Sequence, residues 1–129
     1  MDIFTYPHNR RYNPAAPMIE LEMSHAGRLQ PAIRFSALVD SGADVTFVPE
    51  TYLTQINARY AGQARVRSFL GERQFASVYQ VRLQIGSFIL DPVRVVTLPE
   101  LTEALIGRDV LNHLIVTLNG LAQVTEVSG

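Results

Sequence analysis

Apolar residues in this chain recur mostly at every second position, the pattern of strands that bury one face of a sheet and expose the other. In "PMIELEMSH" the residues Ile19, Leu21 and Met23 alternate with Glu20, Glu22 and Ser24, and "VRLQI" repeats the pattern with Val81, Leu83 and Ile85. Glycines in "AGRLQ" and "IGSF" fall between such runs, so hairpins are the natural connections. Two stretches break the period. "PETYLTQIN" starts with Pro49, carries Glu50 in its first turn and sets Tyr52, Leu53 and Ile56 on one face, which predicts a short helix. A second short helix is expected at "RDVLNHL", residues 108–114. Residues 1–17, with Pro7, Pro14 and Pro17 among polar and aromatic residues, read as an irregular N-terminal arm, and residues 18–129 as one domain. The fold class that follows is all-β with one or two short helices.

A length of 129 residues suits one domain and therefore at most one active site per chain. No cysteine is present, which removes disulfides, thiolate nucleophiles and zinc-thiolate sites together and fits a reducing compartment. All eleven basic residues are arginine, so Schiff-base lysine chemistry and a phosphate-loop lysine are excluded. Four of them fall between Arg59 and Arg73, but a net charge of −1 and a pI near 6.3 argue for solvated faces and against a nucleic-acid partner. No apolar run approaches the ~18 residues of a membrane-spanning helix, so no membrane partner is expected. "MDIFTYPHNRR" has an acid at position 2 and no apolar stretch, unlike a secretory signal; the expected location is the cytoplasm. His8, His25 and His113 have no metal-ligand spacing, and no nucleotide-binding glycine motif occurs.

The stretch that points to chemistry is "ALVDSGADVTFVP", residues 37–49. Asp-Ser-Gly is a common turn, yet here Ala37, Leu38 and Val39 lead into it and Val45, Phe47 and Val48 follow, so the pattern predicts Asp40 in the interior. A carboxylate in such a setting must be hydrogen-bonded; Ser41 offers a hydroxyl and Gly42 an amide that approaches without a Cβ. One carboxylate does not make both an acid and a base. Asp2, Asp44, Asp91 and Asp109 have no equivalent apolar cradle, so a partner for Asp40 is expected from a second copy, across a two-fold axis.

A second motif follows. In "ALIGRDVLNHLIVTL", residues 104–118, an apolar pair precedes Gly-Arg-Asp and a short amphipathic segment. An apolar run into Asp-Ser-Gly-Ala-Asp, with this element some 60 residues later, resembles the retroviral-type, retropepsin-like aspartic proteases over about residues 18–125. The resemblance implies a closed, all-β acid-protease barrel active as a homodimer, hydrolysing a peptide or protein substrate with water and no metal or cofactor. It implies that Asp40 is catalytic, that Ser41 braces the dimer centre, that Gly42 lends backbone to the bound peptide, and that Ala43 completes the loop. Asp44 would pair with Arg108, in a partly buried contact, and stand among the substrate-binding positions; Gly107 would pack against the catalytic loop. Departures from the family pattern are Ser41, where most retroviral members have Thr, and a flap stretch "RVRSFLGERQFASVYQV" whose one glycine, Gly71, is the expected flap tip and substrate contact. The segment after "VTLNG" is longer than a retroviral C-terminus, so "LAQVTEV" is expected to build the dimer sheet differently. The competing reading is a non-catalytic peptide-binding or dimerisation module on the same fold.

Overall fold

The computed structural model describes residues 2–67 and 71–129. Among the described residues nine strands and two short helices run in the order β1 (Phe4–Pro7), β2 (Met18–His25), β3 (Ala32–Val39), α1 (Glu50–Gln55), β4 (Arg59–Arg67), β5 (Arg73–Ile85), β6 (Phe88–Thr97), β7 (Ala104–Ile106), α2 (Arg108–Leu111), β8 (Ile115–Asn119) and β9 (Val124–Ser128). They form a six-stranded sheet, β4-β5-β2-β3-β7 with β6 also on β5, and a three-stranded sheet, β1-β9-β8. The long β5 organises the larger sheet. Along one edge it pairs with β4 as far as Gln80 and with β2 from Val81 onward, while β6 follows the other edge. The sheet curls into a half-barrel around a main core, with a second, smaller cluster at Ala76, Val78 and Val96.

The apolar positions of the period-two reading of β2 and β5 are buried as expected, but Ser24 and Arg82, expected on the outer face, are buried as well, at 1% and 7% exposed. Ile19, Leu21, Met23, Val81, Leu83 and Ile85 are all at most 3% exposed and meet Val95, Ile106, Val110 and Val127 in that core. Leu53 and Ile56 of the α1 region are buried in the same cluster. The second helix is shorter than expected. It ends at Leu111, and His113 and Leu114 continue in tighter turns, donating to the carbonyls of Val110 and Leu111 three residues back.

The N-terminal segment, expected to be irregular, contains a strand. Phe4 to Pro7 pair antiparallel with Val127 to Val124 of β9, and the Phe4 ring lies edge-on to Phe88. Phe4 sits so close to the β5–β6 turn that a Cβ on Gly86, which has φ +58°, would lie 2.4 Å from its ring. A four-residue strand closed by proline carries almost no local signal, and its partner lies about 120 positions away in the sequence. His25, with no metal-ligand spacing, places its Nδ1 2.8 Å from the Asn57 carbonyl oxygen. Among the described residues no helix is long and apolar enough to cross a membrane.

Candidate active site

Strands β3 and β7 lie parallel, Ala37 to Val39 beside Ala104 to Ile106. This pairing brings the two sequence motifs together, because β3 runs directly into Asp40 and β7 directly into Gly107. Hydrogen bonds continue past the strand ends: Asp40 N–H donates to the Ile106 carbonyl at 3.0 Å, and Arg108 N–H to the Ala43 carbonyl at 2.9 Å. Between them the chain turns tightly, with Ala43 N–H donating to the Asp40 carbonyl at 3.2 Å. Gly42 N–H donates to Asp40 Oδ1 at 2.9 Å, so a backbone amide steadies the carboxylate.

Asp40 is half-buried, and Ser41 and Gly42 are exposed. This corrects the expectation of an interior carboxylate, at least within a single chain. The apolar residues on either side belong to the sheet and its packing, whereas the turn between them emerges at the surface, as turns do. The carboxylate opens onto a cavity of about 490 Å³ whose apolar walls include Val45, Phe47, Ala64, Val66, Val96 and Leu105. Ala64 and Val66 come from β4, the first arm of the hairpin that contains the expected flap stretch. Gly71 lies between Arg67 and Arg73, the last pair of that hairpin; it is exposed with φ +83°, a left-handed conformation glycine adopts freely. Residues 68–70 of the same stretch lie outside the described residues.

Arg108 holds the turn from outside. One guanidinium nitrogen donates to the Ser41 carbonyl at 2.7 Å, and another to Asp44 Oδ1. The Asp44–Arg108 pair is therefore present, but its burial differs from expectation: the two side chains are 82% and 44% exposed, and Arg108 divides its donors between a carbonyl and one carboxylate oxygen. Exposed pairs of this kind are worth at most about 1 kcal/mol. Gly107 is constrained far more tightly. A Cβ there would lie 2.3 Å from the Val45 carbonyl oxygen and 2.9 Å from that of Ala43, so no larger residue fits without moving the loop.

Two residues beneath the turn were not singled out from the sequence. Thr46 is 2% exposed, and its hydroxyl donates to Asp109 Oδ1 at 2.8 Å while accepting from Gly107 N–H at 3.1 Å. Thr46 N–H donates to Asp109 Oδ2 at 3.2 Å. Asp109, passed over in the sequence for want of an apolar cradle, has its carboxylate held by both donors of Thr46, which locks the Asp-Ser-Gly loop to α2. The sequence contained a signal, a single polar residue between Val45 and Phe47, but nothing in it named the partner. Above this support two carboxylates line the cavity: Asp40, half-buried and in neither ion pair found among the described residues, and Asp44, exposed and engaged by Arg108.

Comparisons with known proteins agree with this geometry. A search of curated proteins finds no match. Among solved structures the chain is similar to the EIAV protease complexed with an inhibitor, with a TM-score of 0.62 and 14% identity over 76% of this chain and 86% of that one. It is also similar to a retropepsin-like aspartic protease from Rickettsia conorii, with a TM-score of 0.69 and 12% identity over 98% of this chain and 90% of that one. Both likenesses establish the fold as retropepsin-like. A family model described as gag-polyprotein putative aspartyl protease matches residues 29–113, a span that includes the first motif with Thr46 and the Gly107-Arg108-Asp109 of the second. With its motifs joined at one site on this fold, the chain belongs to the gag-polyprotein putative aspartyl protease family.

Proposed function

We propose that two copies of the chain form a homodimeric aspartic endopeptidase, with one Asp40 from each on either side of a two-fold axis. The observation that carries this reading is the Asp40 carboxylate, which lines a cavity with apolar walls from a latched turn and, unlike Asp44, is in no ion pair among the described residues. Two carboxylates brought close together share one proton, because both cannot remain charged. The charged member takes a proton from water, whose oxygen bonds to the scissile carbonyl carbon. The protonated member donates to the carbonyl oxygen, and a proton then passes to the amine nitrogen as the carbon–nitrogen bond breaks. Ser41 braces the two turns against each other, Ala43 completes each turn, the Gly42 backbone and Asp44 meet the extended peptide, and the β4–β5 hairpin with Gly71 near its tip covers it. Neither metal nor cofactor has a part in these steps, and a cysteine-free chain suits the cytoplasm.

The open edge of β8 supports a place for the second copy. β8 ends the three-stranded sheet, and Ile115, Leu118 and Leu121 in and just after it are 55%, 56% and 102% exposed. Leu118 shares its sheet face with Val116 and with the buried Thr125 and Val127 opposite, so an inward-facing leucine stands uncovered at an unpaired edge. The strand follows α2 within a few residues, close to the turn that carries Asp40.

The test is cleavage of a diverse peptide library by wild type and by Asp40→Asn, with and without a statine-type inhibitor. Cleavage that the inhibitor blocks and the substitution abolishes supports the reading. A library left intact by a folded, dimeric wild type favours the non-catalytic peptide-binding module instead.

A further inference from the structure

The β4–β5 hairpin carries a charge arrangement that the fold itself does not need. Arg67 and Arg73 are directly opposite each other across the two strands, and Arg65 is opposite Phe75 two positions along the same face. Like charges facing across a strand pair are unfavourable, and a sheet built only for stability would alternate them. All three arginines are exposed, and Phe75 is 62% exposed. Arg65 stands over the Phe75 ring at 5.4 Å, which restricts where its guanidinium goes. The ion pairs among the described residues are Arg34–Glu22 and Arg108–Asp44, so none of the three is neutralised there. Glu72 adjoins Arg73 in the chain without forming one of these pairs, and Glu100 lines a separate cavity beside Gln74.

These arginines adjoin the cleft. A cavity of about 470 Å³ is lined by Asp44, Arg65, Val66, Arg67 and Arg73, and it shares four of those residues with the cavity onto which Asp40 opens. One end of the cleft is therefore apolar around Val45, Phe47 and Leu105. The other carries three positive charges against Asp44, which Arg108 already engages.

Resting on the peptidase reading above, we infer that the cleft selects peptides bearing a glutamate or aspartate a few residues from the scissile bond, held by Arg67 and Arg73 with Arg65 beside them. A carboxylate there relieves the repulsion between the two facing arginines and gains their donors. A polyanion is the weaker match, because the patch is confined to one hairpin of a chain with net charge −1 and pI near 6.3.

The test uses fluorescent decapeptides with an apolar central pair and glutamate or glutamine at each flanking position in turn. Binding is measured by anisotropy on Asp40→Asn, and cleavage on wild type. At one or two positions glutamate is expected to be favoured over glutamine by roughly twofold to fivefold, the scale of exposed ion pairs. The preference should fade in about 1 M salt, where the screening length is about 3 Å. Arg67→Glu with Arg73→Glu should reverse it toward lysine, an outcome that a merely structural role for the arginines does not produce. Cleavage or binding without any glutamate preference overturns the inference and leaves the peptidase reading standing. Glutamate-selective binding without cleavage by wild type supports the inference and overturns the peptidase. Neither binding nor cleavage overturns both, and tight binding of a single-stranded oligonucleotide that the glutamate peptides cannot displace assigns the patch to nucleic acid instead.

Discussion

Replacing Thr46 by valine removes one oxygen and retains the shape of the side chain, so its cost reports on the latch alone. The hydroxyl serves two partners in a site 2% exposed. Its donation to Asp109 Oδ1 is a hydrogen bond to a charged group, worth about 1.5–3 kcal/mol, and Gly107 N–H is left unpaired in a buried position, at about 1–3 kcal/mol. Against these losses, the valine adds buried apolar surface worth about 0.8 kcal/mol, and Asp109 keeps its bond from Thr46 N–H. The net expectation for Thr46→Val is a destabilisation of about 3 kcal/mol. Urea unfolding at fixed protein concentration should show it as a midpoint lower by on the order of 2 M with an unchanged slope. Thr46→Ser keeps the hydroxyl and loses a methyl, so it should cost only about 1 kcal/mol. Serine more damaging than valine would mean that packing, not the hydroxyl, makes Thr46 important, and the latch would be refuted.

Gly107→Ala places a Cβ against the Val45 and Ala43 carbonyl oxygens and should cost more than about 3 kcal/mol, visible as a lost or strongly lowered thermal transition; a loss under about 1 kcal/mol would show that the loop yields easily. Arg108→Ala removes an exposed ion pair and a bond to the Ser41 carbonyl, so denaturation should register about 1 kcal/mol, not the several expected of a buried pair. Leu118→Glu puts a charge on the open β8 edge and should leave a folded monomer in sedimentation at concentrations where wild type is dimeric; an unchanged sedimentation profile would locate the dimer contact elsewhere.

The sequence disclosed different parts of the molecule to different degrees, for physical reasons. Ile19, Leu21 and Met23 alternate because β2 has one face in the core, and that is a local fact readable from nine consecutive residues. The Asp-Ser-Gly and Gly-Arg-Asp motifs were legible for a different reason: each is a short backbone requirement that few other residues satisfy, as the 2.3 Å clearance at Gly107 makes plain. Strand β1 was not legible. Its pairing with β9 depends on residues at the other end of the chain, and Pro7 argued locally against a strand. The exposure of Asp40 was misjudged because apolar flanks report on the strands that carry a turn and not on the turn. Thr46 and Asp109 form a contact across 63 positions, which no single-sequence pattern could pair.

The central claim is that each active site needs an Asp40 from both copies. Wild type and Asp40→Asn can be mixed at defined ratios, allowed to exchange subunits, and assayed on a peptide that wild type cleaves. If both carboxylates are required, activity at equal proportions falls to about one quarter of that of wild type at the same total concentration, and it follows the square of the wild-type fraction across the series. A linear decline, with about half the activity left at equal proportions, would mean that each copy works with its own Asp40 alone, and about three quarters left would mean that one Asp40 of the pair suffices; either would contradict the shared site.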